Sequence, residues 1–318
     1  MTNFYGQYCG FGAGFPAGAG AVWSGSRGVC LGGYDPPYLN ILDYITIAST
    51  GNATDFGDLG APTIEIGGVS DGSRGISVGG YASGYTDVLE YVTISTTGNS
   101  TDFGDLTQAT SLLAALSNGT RAVRGGGTNG VGGPNNEKDI CDYWTIATTG
   151  NAVDFGDLTI AKDGVGPIGN ATRGLFGGGG TNSPGTPSPS RDDIDYITVA
   201  TTGNAADFGN LTVVANGQGS CSNETRGVWG GGNPSNINVI NYVTVASLGD
   251  ATDFGDLTVG RGDMGSGDVS NLTRGCFMAG YTPTSDVIDY VTIASTGDAT
   301  DFGDLTTERY GCGAFAGT

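Results

Sequence analysis

A single phrase recurs six times along the chain: DYITIASTGNATDFGDL, EYVTISTTGNSTDFGDL, DYWTIATTGNAVDFGDL, DYITVATTGNAADFGNL, NYVTVASLGDATDFGDL and DYVTIASTGDATDFGDL. Its anchors are Tyr44, Tyr91, Tyr143, Tyr196, Tyr242 and Tyr290, nearly evenly spaced. At one fixed distance after each anchor stands a phenylalanine: Phe56, Phe103, Phe155, Phe208, Phe254 and Phe302. Ahead of each stands an arginine: Arg27, Arg74, Arg121, Arg173, Arg226 and Arg274. A period near fifty marks one supersecondary unit per repeat, too small to bury its apolar faces except against its neighbours. Function is therefore sought where the repeat is broken.

The fifth unit shows what one repeat folds into. RGVWGGG is a short strand closed by glycines, which let a neighbouring chain approach closely. NVINYVTVAS is rich in β-branched residues and apolar on both parities, as in a strand buried on two sides. Gly249-Asp250, which recurs as Gly51-Asn52, Gly98-Asn99, Gly150-Asn151, Gly203-Asn204 and Gly297-Asp298, reads as a two-residue hairpin turn. ATDFGDLTV is a third strand, and enough chain remains before the next arginine for a fourth. Four antiparallel strands repeated six times predict an all-β, six-bladed β-propeller, with a β-solenoid as the alternative.

The double glycine followed by a tyrosine strand resembles kelch repeats, although the kelch tryptophan has no regular place here. Over roughly residues 22 to 318, the tandem DYITIASTGNATDFGDLT units resemble repeat proteins of bacteriophages, notably those of cyanobacteria, that serve as virion structural or tail-fibre components. That resemblance implies a structural or adhesive role and brings no catalytic residues.

Composition narrows the partners. Net charge is −20, with 12 basic residues of which six are the repeat arginines, so a nucleic-acid partner is not expected. Histidine is absent, removing the commonest general base and metal ligand. No apolar run reaches membrane-spanning length, and the first residues lack the basic and apolar regions of a secretory signal. Neither membrane nor cofactor is expected. The six cysteines occupy unlike places in the repeat, which favours buried thiols over a disulfide framework.

Two sets of repeated carboxylates are candidates for chemistry. One precedes the tyrosine: Asp43, Glu90, Asp142, Asp195 and Asp289, with Asn241 substituting; the other brackets the phenylalanine. Calcium-loop spacing is missing, so these are expected to accept from the repeat arginines or from turn amides and fix blade against blade. No nucleophile–base pair can be built with histidine, and an enzyme is not expected. Arg261-Gly262-Asp263 matches an integrin-type tripeptide once, as a chance match in a Gly- and Asp-rich chain. Asn52, Asn99, Asn118, Asn170, Asn210, Asn223 and Asn271 head N-x-Ser/Thr sequons and are candidate glycosylation sites. Four of them (Asn118, Asn170, Asn223 and Asn271) come just before a repeat arginine, where an Asx turn needs the side-chain oxygen and no sugar.

The repeat breaks in two places. The stretch from arginine to tyrosine keeps nearly one length in four units but is longer in the third and fourth, where residues 128–139 and 181–193 form extended loops on one rim. At the end, LTTERYGCGAFAGT can supply a fourth strand for the last blade, so residues 21–318 would complete the ring. Residues 1–20 are then left over, glycine-rich and studded with Phe4, Tyr5, Tyr8, Phe11 and Phe15. Ordering such an arm costs about 1–2 kcal/mol per residue, which burial in a partner can offset. The expectation is a homo-oligomeric subunit of an extracellular filament or virion appendage, assembled through this arm. The alternative is a lectin-like propeller that holds surface glycans on the two long loops.

Overall fold

The computed structural model describes residues 24–130, 136–181, 190–281 and 283–318. It is a six-bladed β-propeller, each blade an antiparallel sheet. In blade 2 the strands run, from the axis outward, Gly67–Ser70, Arg74–Tyr81, Tyr85–Thr93 and Thr101–Asp105. The repeat arginine thus opens the second strand, the tyrosine sits in the third, and the DFGD segment is the outer edge. Innermost strands such as GGVS, AALS and GSCS carry small residues, as six strands converging on one axis require.

The apolar core is a series of layers between blades. Between blades 1 and 2, for example, Val29, Leu31, Leu42, Phe56, Leu59 and Phe315 meet Ile66, Val92 and Ile94. Each layer draws on both neighbours, which is why no repeat can fold alone.

Two expectations need correction. The C-terminal strand Gly313–Gly317 is the innermost strand of the first blade, pairing with Arg27–Leu31, and not the fourth strand of the last. The segment after each outer strand crosses to the next blade, so the chain's end closes the ring onto its beginning, within residues 24–318. The Gly-Asn pair is also not the hairpin turn. The tight turn lies earlier, where Ser247 N–H donates to Thr244 O at 3.1 Å. The glycine's N–H instead reaches the preceding blade: Gly98 N to Phe56 O is 2.7 Å, Gly150 N to Phe103 O is 2.8 Å, and Gly51 N to Phe302 O closes the circle at 2.8 Å.

This contact explains the DFG triplet. Asp43 pairs with Asp55 and Leu42 with Gly57, so Phe56 is the extra residue of a β-bulge, and the same register shift recurs in all six blades. The bulge turns the phenyl ring inward, edge-on to Tyr44 at 6.0 Å, and leaves its carbonyl free for the next blade. The glycine after it is needed for space as well: a Cβ on Gly104 would stand 2.5 Å from Gly150 O.

Blade 6 departs from the pattern. Its sheet has three regular strands, Arg274–Met278, Ser285–Thr292 and Thr300–Arg309. The segment from Leu257 to Arg274 is longer than its counterparts, such as the one from Leu59 to Arg74. The longer segment runs into the axis, where Ser266 O accepts from Gly68 N at 3.0 Å, Ser266 Oγ donates to Leu113 O at 3.2 Å and Gly267 O accepts from Ser220 Oγ at 3.2 Å. The central channel is thereby plugged, with cavities of only about 20 and 30 Å³ along it.

Candidate functional site: a tyrosine crescent at one mouth of the ring

The repeated residues go into the seams between blades. Each repeat arginine lies over the tyrosine of its own blade, from 4.0 Å at Arg274–Tyr290 to 5.0 Å at Arg173–Tyr196. Each also donates through Nη1 to a carbonyl of the following blade: Arg27 to Ile94, Arg74 to Ile146, Arg121 to Val199, Arg173 to Val245, Arg226 to Ile293 and Arg274 to Ile47, at 2.8–3.2 Å. The tyrosines are half-buried, capped by this cation instead of enclosed.

The carboxylates before the tyrosines are not met by those arginines. Of the two expected partners it is the turn amides that reach them, Thr107 N–H to Asp142 and Thr159 N–H to Asp195 at 3.3 Å and Thr306 N–H to Asp43 at 3.1 Å. Asp142, Asp195 and Asp43 also accept from the hydroxyls of Thr107, Thr159 and Thr306 of the preceding blade, at 2.6, 2.5 and 2.7 Å. A second, buried set of cations neutralises them: Arg124 with Asp142 at 2.8 Å, Lys162 with Asp195 at 3.3 Å, Arg261 with Asp289 at 2.7 Å and Arg309 with Asp43 at 2.6 Å. Lys162, Arg261 and Arg309 share one place in the repeat, a turn's length after Leu158, Leu257 and Leu305. Where Ala215 occupies that place, the next blade carries neutral Asn241; where Thr110 does, Arg124 substitutes from the blade's own second strand. Where Gly60 replaces the threonine, the longer Glu90 reaches its N–H at 3.1 Å. At this place in the repeat a fully buried carboxylate always has a cation, and where the cation is missing the acid is replaced by neutral Asn241 or by the half-buried Glu90. Arg261 is fully buried, so the Arg-Gly-Asp match is not a displayed tripeptide.

The sequons occupy turn and edge positions. Asn118, Asn170, Asn223 and Asn271 each accept, through Oδ1, from the N–H groups two and three residues on, a role Asp71 fills in blade 2. Asn52 and Asn99 accept from the N–H of Asp304 and Asp58 in the preceding blade. Asn210 is exposed on an outer strand. Cys30, Cys141, Cys221, Cys276 and Cys312 are free and buried, and burial pushes the Cys276 thiol up to about 12. Cys9 and the arm residues Phe4, Tyr5, Tyr8, Phe11 and Phe15 lie outside the described residues, as do 131–135 and 182–189 of the two long loops.

What stands apart from the repeat is a set of six tyrosines. In an antiparallel blade the connections from second to third strand and from outer strand to the next blade emerge on the same face. On that face Tyr85, Tyr81, Tyr38, Tyr34, Tyr310 and Tyr281 form one continuous arc over blades 2, 1 and 6. Successive ring centroids are 5.2, 6.1, 5.3, 5.5 and 5.1 Å apart, all tilted or edge-to-face. All of them but Tyr281 border an open groove of about 370 Å³ with Ile64 and Glu65 at its foot. Tyr281, at one end, is 46% exposed.

Beside the groove, an unusual backbone ring encircles the mouth of the plugged channel. Glu65, Leu112, Gly164, Gly217, Asp263 and Gly311, one per blade, all have φ between 49° and 63°. Leu112 N donates to Glu65 O, Gly164 N to Leu112 O, Gly217 N to Gly164 O, Met264 N to Gly217 O, Gly311 N to Asp263 O and Glu65 N to Gly311 O, at 2.6–3.1 Å, closing the circle. Three of these positions are not glycine and bear the strain of the left-handed conformation. Glu65 and Asp263 gain from it a carboxylate at the mouth. Glu65 accepts from Ser111 Oγ at 2.6 Å and Asp263 from Asn233 Nδ2 at 3.1 Å. Burial raises both carboxyls, and burial with Glu137 and Glu65 nearby pushes Asp163 up to about 7. Among the described residues, no three Cys, Asp or Glu side chains gather as a metal site would need.

Nothing in the repeat spacing points to the crescent. The available signal was the tyrosines out of register with the anchors, two after each of the first two double glycines and two flanking the last blade. Compared with known proteins, the chain matches no family model and no curated protein.

Proposed function

We propose that this chain is a non-catalytic structural subunit that self-assembles into an extracellular filament or virion appendage through residues 1–20. The reading rests on one observation above the others: the ring has two unlike ends. Residues 24–26 join the ring on the face of the Asx turns, where Gly25 N–H donates to Ser270 O at 3.2 Å. The tyrosine crescent lies on the opposite face. A rigid, closed bead with unlike ends stacks by a head-to-tail contact that never closes on itself, the condition for a filament. The repeated polar groups are engaged in holding blade to blade, which suits a part that must withstand force. The direct test is negative-stain microscopy and sedimentation of the purified full chain and of a variant lacking residues 1–20. Long polymers from the first and single rings from the second are expected; polymers from both, or from neither, overturn the reading.

One observation favours a second reading, an adhesive propeller that binds glycans. Tyrosine faces beside a carboxylate suit the C–H faces and hydroxyls of sugar rings. On this reading the glycan would sit on the crescent and not on residues 128–139 and 181–193, and a glycan array with single rings tests it.

A further inference from the structure

We infer that the tyrosine crescent of one ring is the seat for residues 1–20 of the next. This rests on the assembly reading above and specifies its contact.

Position is the first argument. Gly25 lies against Ser270 and Gly317, so the chain leaves the ring beside the axis at the junction of blades 6 and 1. The crescent spans blades 6, 1 and 2 on the other face, in the same sector. A second ring placed above the first by translation with little rotation brings its exit over the first ring's crescent. Residues 264–270 plug the channel that joins the two faces. Fully extended, residues 1–20 reach up to about 70 Å, enough to lie along the whole arc.

Chemistry is the second. Residues 1–23 contain no charged side chain, so the entire −20 belongs to the ring. Two such rings repel, and the mouth that must be covered is itself acidic, with Glu65, Asp163 and Asp263 around it. An uncharged segment meets that mouth without like-charge repulsion. Its five aromatic residues, separated by glycines and small residues, can enter a row of tilted rings that offers exposed edges and faces. The contact therefore strengthens with salt, as the repulsion between rings is screened.

The experiment uses the full chain, a variant lacking residues 1–20, and two crescent variants, Tyr38→Ser with Tyr85→Ser, and Tyr281→Ala. The second crescent variant changes a 46% exposed side chain and tests the site if the first fails to fold. Sedimentation velocity should show polymers from the full chain and single rings from the double variant, with unchanged melting. The decisive measurement mixes the arm-less ring with the crescent double variant. Each is blocked at one end, so a one-to-one pair and nothing longer should form. A labelled peptide of residues 1–20 should bind the arm-less ring and lose at least tenfold in affinity on the crescent variants. Polymers from a folded crescent variant, or a mixture that stays as single rings, overturn the seat while leaving arm-driven assembly standing. Polymers from the arm-less ring, or none from the full chain, overturn arm-driven assembly itself. A neutral oligosaccharide that binds the crescent while the peptide does not overturns the seat in favour of a glycan site.

Discussion

The seams and the crescent both use tyrosine, and use it in opposite ways. At each seam a tyrosine is held by a bulged phenylalanine and covered by an arginine that reaches the next blade. In the crescent, tyrosines stack on one another along an open groove that three blades share. The first arrangement occurs six times and leaves each tyrosine half-buried under its arginine; among the described residues the second occurs once. Six-fold repetition marks what the ring needs to stand, and the singular tyrosines carry the proposed contact. Changes at the seams should therefore unfold the ring, whereas changes in the crescent should leave it standing.

The largest effect is expected at the buried ion pairs. Lys162→Ala leaves Asp195 buried without its cation and should cost about 3–5 kcal/mol in urea unfolding. Adding Asp195→Asn brings that seam close to the Ala215–Asn241 seam and should restore part of the loss. The match is incomplete because Asp193, 2.6 Å from Lys162 Nζ and also paired with Arg191, stands where Val239 does. A double variant no more stable than the single would break the account of charge matching.

Glycines give the next contrast. Gly104→Ala drives a Cβ onto the Gly150 carbonyl at a φ of 148° and should cost about 1–3 kcal/mol. Gly84→Ala, at the tip of the crescent hairpin with nothing within 4 Å of the new Cβ, should leave melting unchanged. Equal shifts would erase the distinction between seam and crescent glycines.

Tyrosines follow. Tyr242→Ser should lose roughly 1.5–3 kcal/mol, towards the lower end because the ring is half-buried. Tyr281→Ser should stay within about 0.5 kcal/mol. Thermal unfolding of both, side by side, sharpens or breaks the comparison directly.

How far the sequence carried this picture follows from the same division. The propeller was legible because the Tyr, Phe and Arg positions recur, and recurrence is visible without coordinates. The role of Gly98-Asn99 was not, because a Gly-Asn pair after a strand is also a common hairpin signal. Its partner, the carbonyl freed by the Phe56 bulge, lies in the previous blade, most of a repeat away along the chain. The buried cations escaped for a related reason: Lys162, Arg261 and Arg309 share a place with Thr63, Thr110 and Ala215, so the position reads as variable. Only its covariation with Glu90, Asp142 and Asn241 shows a rule. The crescent depends on ring closure, which brings Tyr310 beside Tyr34 from the far end of the chain.

A smaller effect depends on pH. Asp163, at the crescent's mouth beside Glu137, Glu65 and Asp263, and Asp268, in the channel plug with Ser222 and Ser270, are both pushed up to about 7, chiefly by burial. The folded ring then binds more protons than the unfolded chain between the ordinary carboxylate range and about pH 7, so stability falls as pH rises through that window. Melting should be roughly a few degrees lower above the window than in its middle. Asp163→Asn and Asp268→Asn should each flatten the slope, and a slope unchanged in both would break the assignment.

The smallest effect is expected on the face opposite the crescent. Asn271 accepts from Thr273 N at 3.1 Å and Arg274 N at 2.8 Å, and these bonds need only an oxygen. Asp71 makes the same pair of bonds, to Ser73 N and Arg74 N, at 2.9 and 2.7 Å. Asn271→Asp therefore abolishes the sequon while keeping the turn, and should shift stability by no more than about 0.5 kcal/mol. Asn271→Ala abolishes both, leaves two N–H groups at a strand entry without that acceptor, and should cost about 1 kcal/mol. Melting of the two variants, with intact mass of the same protein from its native source, separates the oxygen's role from that of any sugar. If Asn271→Asp destabilises as much as Asn271→Ala, the turn does not explain why asparagine stands there.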